Sequence, residues 1–279
     1  MHQRICGSTF IYPGRSLDDG MLTAKRFGFD TVDVGIGGIN GHIYSVDAAE
    51  DPARMAERVR TAAECAGLRL HECFSLNFGP PMNDPSQVVR RQTRQRFAGL
   101  CRFARTAGFE GIMLIPGPVH PTLGRQRSLD LAVKGLSELS EIAAEHHLRL
   151  DVEADCDSCA STPEAAEEVC QRVSGIRLAL DYSHFIYRGF THDQIERLDR
   201  FAGYVHVRQA SPGRIVEFAE RGTIDLARLL RHLNELGYRG RFGVEYLSCR
   251  EADDCGVDVA RETPRMIRIL EDLLTAISP

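Results

Sequence analysis

The sequence predicts an α/β fold, a single (β/α)8 TIM barrel that occupies residues 1–279 as one domain. Three observations lead to this prediction. Short apolar runs alternate with longer amphipathic segments along the chain, and eight such pairs are present. Glycine precedes several of the runs, at positions where a helix would end and the chain return to the sheet. The length also fits, because barrels of this kind need about 250 residues.

The eight apolar runs have the composition of strands that are buried on both faces of a parallel sheet. An open, doubly wound sheet is the alternative, but no G-x-G-x-x-G follows the first run, so the closed barrel is preferred. The predicted strands are Ile5–Phe10, Thr31–Gly35, Arg69–Phe74, Gly111–Ile115, Leu148–Glu153, Ile176–Asp181, Tyr204–Arg208 and Phe242–Tyr246.

The segments between the runs carry apolar residues at helical spacing, as Met55, Val59 and Ala63 do on one stripe. Pro163 and Pro264 are predicted to lie in first turns, where the missing N–H of proline costs no hydrogen bond. The predicted helices include Pro52–Ala66, Leu129–His146, Pro163–Val173, Thr191–Leu198, Ile224–Leu236 and Ala260–Ile277.

The composition excludes several classes of protein. The chain carries 34 basic and 39 acidic side chains, a formal net charge of −5, which argues against a nucleic-acid partner. It has no apolar run of about 18 residues, so no membrane association is expected. Its nine cysteines are odd in number and spread along the chain, and no secretory leader is evident after Met1. We therefore expect a cytoplasmic protein with reduced thiols.

Four consecutive predicted strands end in side chains that can bind a metal ion. These residues are Glu153, Asp181, His206 and Glu245, on strands five to eight. The carboxyl ends of barrel strands meet at one mouth, where three carboxylates would repel one another unless a cation lay among them. Three oxygens and one imidazole nitrogen suit a single divalent ion, Mn²⁺ first, with Mg²⁺, Co²⁺ or Zn²⁺ as alternatives.

One further histidine follows the sixth strand closely. His184 lies three residues after Asp181, in the loop that would stand above the metal. We expect it to contact the substrate, the alternative being a loop histidine that hydrogen-bonds to backbone.

These motifs resemble those of the xylose-isomerase-like barrel superfamily of sugar isomerases and epimerases. The resemblance covers the whole chain, although the first four strands match only as a pattern. The motifs are the fifth strand ending in Glu153, Asp181-x-x-His184, His206 in Val-His-Val-Arg, and the C-terminal block Gly222–Leu226, Leu236–Gly240 and Gly243–Tyr246.

The resemblance implies one divalent metal on Glu153, Asp181, His206 and Glu245. In the ketose 3-epimerase branch of this superfamily, the two metal-bound glutamates also move protons on opposite faces of the substrate. Glu153 and Glu245 would have that catalytic role here, and His184 would hold a substrate oxygen. An arginine after strand seven would hold another; Arg214 is preferred and Arg208 is second. The resemblance further implies a homodimer or homotetramer.

The expected activity is therefore a metal-dependent sugar isomerase or epimerase that acts on a keto sugar or related polyol. A metal on the carbonyl would stabilise the enediolate, and a base and an acid would move the proton. One alternative is a lyase or dehydratase that eliminates a group from a keto-inositol or 3-keto glycoside at the same site. Another is a sugar-binding barrel without catalysis.

Further histidines near strands three and four leave a remote alternative, a zinc endonuclease IV-like phosphodiesterase. It is disfavoured because the Asp-x-His that a zinc cluster would need after His206 is missing. We expect His71, Glu72 and His120 to contact the substrate instead. Cys156-x-x-Cys159 has no second pair at matching spacing, and its thiols are interpreted as incidental.

Overall fold

A computed structural model describes residues 1–12, 15–37, 42–75, 79–248 and 255–277 of the chain. Eight strands form the barrel, and each lies within one or two residues of a predicted strand. They are β1 (Ile5–Ser8), β2 (Thr31–Gly37), β3 (Arg69–Ser75), β4 (Gly111–Leu114), β5 (Arg149–Val152), β6 (Ile176–Asp181), β7 (Ala202–Val207) and β8 (Phe242–Val244).

The sheet is parallel throughout and closes on itself. Each strand pairs with the next, and Ile5 of β1 lies opposite Phe242 of β8 while Gly7 of β1 lies opposite Val32 of β2. Closure leaves no unpaired barrel edge, and it brings the carboxyl ends of all eight strands to one mouth. The predicted (β/α)8 barrel is confirmed.

The helices follow the strands as expected, with some different boundaries. They are α1 (Leu17–Arg26), α2 (Ser45–Glu50), α3 (Pro52–Ala66), α4 (Gln87–Ala107), α5 (Gly124–Glu145), α6 (Pro163–Arg172), α7 (Tyr182–Tyr187), α8 (His192–Ile195), α9 (Leu226–Glu235) and α10 (Val259–Ile277). A 3-10 helix, Glu196–Phe201, continues α8, and an antiparallel hairpin, Gln209–Ser211 with Arg214–Glu217, follows β7. No helix in the described ranges is long and apolar enough to cross a membrane.

One prediction about a helix end is wrong. Pro264 lies inside α10 and not in its first turn. The helix begins earlier because the Asp258 carboxylate accepts the N–H of Ala260 at 3.0 Å and so caps the N-terminus. Proline at this position leaves one carbonyl of the preceding turn without its helical donor.

A β-bulge shapes the barrel interior between β2 and β3. The pairing shifts between Val32 and Val34, so that His71 and Glu72 both stand opposite Asp33. The Asp33 carboxylate accepts the Glu72 N–H at 3.0 Å and lies 2.9 Å from His71 Nδ1. The bulge therefore gives the lower barrel a polar interior beneath the mouth.

Gly35 of β2 provides a test of packing near the mouth. A Cβ placed there would lie 1.6 Å from Cδ2 of Phe10, which is buried against Phe74. We expect Gly35→Ala to lower the free energy of unfolding by about 1–3 kcal/mol, since the Phe10 ring must move within a packed core. Denaturant titration measures this change.

The matched control for this prediction is a double-mutant cycle. In a Phe10→Ala background the obstructing ring is absent, so Gly35→Ala should cost much less. An equal cost in both backgrounds would show that the Gly35–Phe10 contact is not the source of the destabilisation.

Candidate metal and active site

The four strand-end residues predicted from the sequence meet at the mouth of the barrel; we call them the quartet. Glu153 directly follows β5, Asp181 is the last residue of β6, His206 lies one residue before the end of β7, and Glu245 directly follows β8. Backbone pairing holds the two glutamates in register, because the Glu153 N–H donates to the Leu114 carbonyl and the Glu245 N–H to the Val207 carbonyl.

The quartet is compact and buried. His206 Nδ1 lies 2.8 Å from Glu153 Oε1 and 3.4 Å from Glu245 Oε2. Each of the four residues offers one ligand atom, and these atoms all lie within 4.8 Å of one another. No member is more than 6% exposed to solvent. This is a geometry that could hold a metal ion.

Burial and mutual charge shift the pKa values of the quartet in different directions. Burial raises the pKa of Glu245 to about 7, although His206 and Arg208 act against it. Burial opposes protonation of His206, but the Glu245 and Glu153 carboxylates outweigh it and hold its pKa well above the usual value. Burial likewise works against ionised Asp181, whose pKa is nevertheless lowered, chiefly by Arg208. The quartet therefore lacks enough positive charge to balance its three carboxylates.

Arg208 supplies part of that charge. Its side chain is buried, with Nη2 at 2.9 Å from Asp181 Oδ2 and Nη1 at 3.2 Å from Glu245 Oε2. Nε donates to Ser183 Oγ at 2.8 Å, which orients the guanidinium. The sequence analysis placed Arg208 second to Arg214; its spacing from His206 was the available signal, because residues two apart on a strand face the same side.

The residues of the quartet fit a divalent cation. With His206 neutral, three ionised carboxylates and Arg208 leave two negative charges in a buried site, which one such ion would neutralise. Asp181 Oδ2 is buried and lies 2.9 Å from Arg208 Nη2, so a cation bound at the quartet would share this oxygen with the guanidinium.

His184 lies at the edge of the quartet, although in the short helix α7 and not in the loop that was predicted. Its Nε2 is 3.6 Å from Asp181 Oδ2 and 3.9 Å from Glu153 Oε1. Its Nδ1 accepts the N–H of Cys156 at 3.2 Å and lies 3.4 Å from Asp155 Oδ2. Its Nε2 also lies 3.2 Å from Nη2 of Arg208, so both ring nitrogens contact groups around the quartet.

His71 and Glu72 lie lower in the barrel than their predicted role requires. His71 is the third residue of β3, and its ring contacts Asp33 and Tyr204. Glu72 pairs with Arg149, and burial raises its pKa well above the usual value. Glu72 does line a void of about 10 Å³ together with His206 and Glu245, which is too small for a sugar. Their contact with a substrate remains a prediction that this geometry does not support.

Arg214 and His120 are engaged in loop contacts. Arg214 Nε donates to Glu217 Oε2 at 2.7 Å within the hairpin, and Nη2 donates to the Cys255 carbonyl. His120 Nε2 lies 2.9 Å from the Asn83 carbonyl. Neither residue contacts the quartet through any described side chain, so Arg208 is better placed than Arg214 to hold a substrate oxygen.

The Cys156 and Cys159 thiols are both free and buried. Burial raises the pKa of Cys156 to about 12 and that of Cys159 to about 11. Because the thiolate is the reactive form of cysteine, these thiols lack the activation typical of a redox pair.

The closed barrel and a buried carboxylate–imidazole cluster at its mouth define the class of protein, a TIM barrel with a candidate metal site. A family model described as xylose isomerase-like TIM barrel matches residues 22–270, and the chain belongs to this family. The sequence-based resemblance is thereby confirmed. A search of curated protein sequences found no significant match.

Solved structures with the same fold include several sugar epimerases. A D-tagatose 3-epimerase-like protein is 16% identical, with a TM-score of 0.76 and coverage of 99% of this chain and 100% of that one. D-allulose 3-epimerase from Methylomonas sp. is 14% identical, with a TM-score of 0.73 and 97% of each chain covered. A 3-keto-D-glucoside 4-epimerase from E. coli is 15% identical, with a TM-score of 0.70 and coverage of 96% and 99%.

The pKa shifts predict how pH affects stability in the presence of a chelator. Folding raises the pKa of Glu245 from 4.5 to about 7 and raises that of His206 above 6.5, so the folded state holds more protons than the unfolded state. These two groups therefore lower the free energy of unfolding as pH rises, Glu245 between 4.5 and about 7 and His206 above 6.5. Denaturant titrations across this pH range measure the slope.

The Glu245→Gln variant isolates the carboxyl contribution. Glutamine is neutral at every pH, so the variant should gain stability relative to the unmodified chain as pH rises through about 7. Glu64→Gln, at an exposed position on α3, is the control and should give a constant difference. A constant difference for Glu245→Gln as well would contradict the raised pKa of this carboxyl.

Proposed function

We propose that this protein is a divalent-metal-dependent epimerase of a keto sugar or related polyol. The observation that carries the proposal is the convergence of three buried carboxylates and one imidazole, with Arg208 and His184 beside them, at the mouth of a barrel. Membership of the xylose isomerase-like family and a fold shared with several sugar epimerases support the same activity. We also propose a cytoplasmic location.

Glu153, Asp181, His206 and Glu245 would hold the cation, with Mn²⁺ the preferred ion. When bound, it supplies positive charge that stabilises the negative charge developing on the carbonyl oxygen of the substrate. Arg208 and His184 are placed to form hydrogen bonds with further substrate oxygens. These donors would fix the sugar so that the carbon losing its proton lies between the two glutamates.

Glu153 and Glu245 would carry out the proton transfer. They follow β5 and β8, with β6 and β7 between them, and so approach the site from different directions. One carboxylate removes the proton beside the carbonyl, and the other carboxyl group returns a proton to the opposite face. A base and an acid on opposite faces invert the configuration of that carbon without change in mass.

Metal binding can be tested on the purified protein. We expect one Mn²⁺ per chain by elemental analysis, and proton release on binding at pH 6–7, because His206 must be neutral and Glu245 ionised to bind a metal. Calorimetry in two buffers of different ionisation enthalpy counts these protons.

Asp181→Asn should weaken Mn²⁺ binding at least about tenfold through loss of a charged ligand. Asp130→Asn, on α5, is the control outside the quartet and should bind as the unmodified chain does. Equal Mn²⁺ affinity in both variants would place the ion elsewhere.

Proton transfer can be followed by NMR in D2O with Mn²⁺, using D-tagatose, D-allulose, L-ribulose and a 3-keto-D-glucoside. We expect solvent deuterium to enter beside the carbonyl of at least one of these sugars, with an epimer of otherwise equal mass as product. Glu153→Gln and Glu245→Gln should each slow this exchange by about 10²-fold or more.

Metal content of the glutamine variants is measured in parallel, because an amide oxygen can still bind a cation while it cannot accept the proton. Release of water or an aglycone would indicate a lyase, and undiminished exchange in both variants would refute the proposed roles of the glutamates.

A further inference from the structure

A cavity of about 320 Å³ opens at the mouth of the barrel beside the quartet. The loops that follow β3, β4 and β5 form its walls. Its size is at the lower end of the range of small-molecule sites, about 300–1,000 Å³. None of the four quartet residues lines this cavity, so it can receive a part of a ligand that does not react.

The cavity adjoins the quartet through one pair of side chains. Asp155 lines the cavity, and its Oδ2 lies 3.4 Å from His184 Nδ1. The opposite nitrogen of the same ring faces Asp181 and Glu153. A ligand whose reacting carbon lies over the quartet would have this cavity beside it, next to His184.

The lining of the cavity combines two kinds of chemistry. The loops after β3 and β4 contribute the apolar residues Pro80, Pro81, Met82, Ile115 and Pro118. The loop after β5 contributes Asp155, Asp157 and Ser158, and Ser75 also lines the cavity. The Ser75 side chain is 1% exposed, and its Oγ has no hydrogen-bond partner among the described residues. A buried hydroxyl of this kind lacks a polar partner that a ligand could supply.

Hydrogen bonds between the loops hold the cavity open. Asn83 Nδ2 donates to the Pro118 carbonyl at 2.8 Å, and the Cys159 N–H donates to the Gly117 carbonyl at 2.8 Å. Gly117 has a φ of +94°, and a Cβ there would lie 2.3 Å from Asn83 Oδ1. Only glycine fits this turn, so the three loops are fixed to one another before a ligand binds.

We propose that this cavity binds an uncharged, hydroxylated ring joined to the reacting sugar, so that the substrate is a keto glycoside and not a free monosaccharide. The inference rests on the proposed function of the quartet. A ring of this class would pack its C–H groups on the proline and methionine side chains and donate its hydroxyl groups to the Asp155 and Asp157 carboxylates. The same carboxylates repel a phosphate group, which disfavours sugar phosphates.

The test compares three probes by calorimetry with Mn²⁺-supplemented Glu245→Gln protein, in which turnover is suppressed. The probes are 3-keto-D-glucose, its 4-hydroxyphenyl β-glycoside, and the disaccharide with a second glucose in place of the phenol. We expect at least one glycoside to bind tenfold or more tightly than the free sugar, and the two glycosides distinguish a phenolic ring from a second sugar.

Pro118→Trp, added to the Glu245→Gln protein, fills the cavity. It should bring the ratio of glycoside affinity to free-sugar affinity close to one. Pro121→Trp is the matched control, since it lies in the same loop, is exposed and does not line the cavity. Asp157→Asn, which changes charge but little volume, should weaken glycoside binding several-fold. Circular dichroism confirms that each variant is folded.

Equal affinity for all three probes, no measurable binding of either glycoside, or an unchanged ratio in Pro118→Trp would overturn the inference. Failure of the proposed function is recorded separately, by the absence of deuterium exchange in any keto sugar with the unmodified protein.

Discussion

Repulsion among three carboxylates that are buried together is the constraint on which the mouth of this barrel depends. Glu153, Asp181 and Glu245 lie around one imidazole with almost no access to water. Taking ionised groups out of water is costly unless opposite charge lies close by. Arg208 provides one such charge by contacting both Asp181 and Glu245. The remaining negative charge is the reason for proposing a divalent cation at this site, and the proposed chemistry follows from it.

The barrel makes this concentration of charge possible because its strands are parallel and closed. Every strand delivers its carboxyl end to the same mouth, so residues far apart in sequence meet without long loops. The interior below is also polar, with Asp33 held by His71 and by the Tyr204 hydroxyl. Glycine at position 243 leaves room for the Tyr204 side chain, because a Cβ at Gly243 would lie 2.1 Å from the Tyr204 hydroxyl oxygen. The polar groups beneath the quartet are therefore closely packed and hydrogen-bonded to one another.

The sequence was sufficient for the strands and for the quartet, because both depend on local patterns. An apolar run that ends in Glu, Asp or His predicts which residue reaches the mouth. The sequence was insufficient to place His71 and Glu72. A bulge opposite Asp33 draws both side chains into the interior, and the pairing register of two strands is not a local property of the sequence. Arg208 was ranked below Arg214 for a similar reason. The hairpin that turns Arg214 toward Glu217 becomes visible only in the folded chain.

At the mouth of the barrel, the residues proposed for catalysis and the residues that line the neighbouring cavity follow different strands. Strands β5 to β8 supply the residues proposed to bind the metal and move the proton, whereas the loops after β3, β4 and β5 enclose the neighbouring cavity. The loop after β5 belongs to both parts, because Glu153 begins it and Asp155 and Asp157 follow within it. His184 connects the two, with one nitrogen toward Asp155 and the other toward Asp181. A ligand that fills the cavity thus contacts the same loop that positions Glu153, so recognition of the distant ring and placement of the reacting carbon are linked through a few residues of backbone.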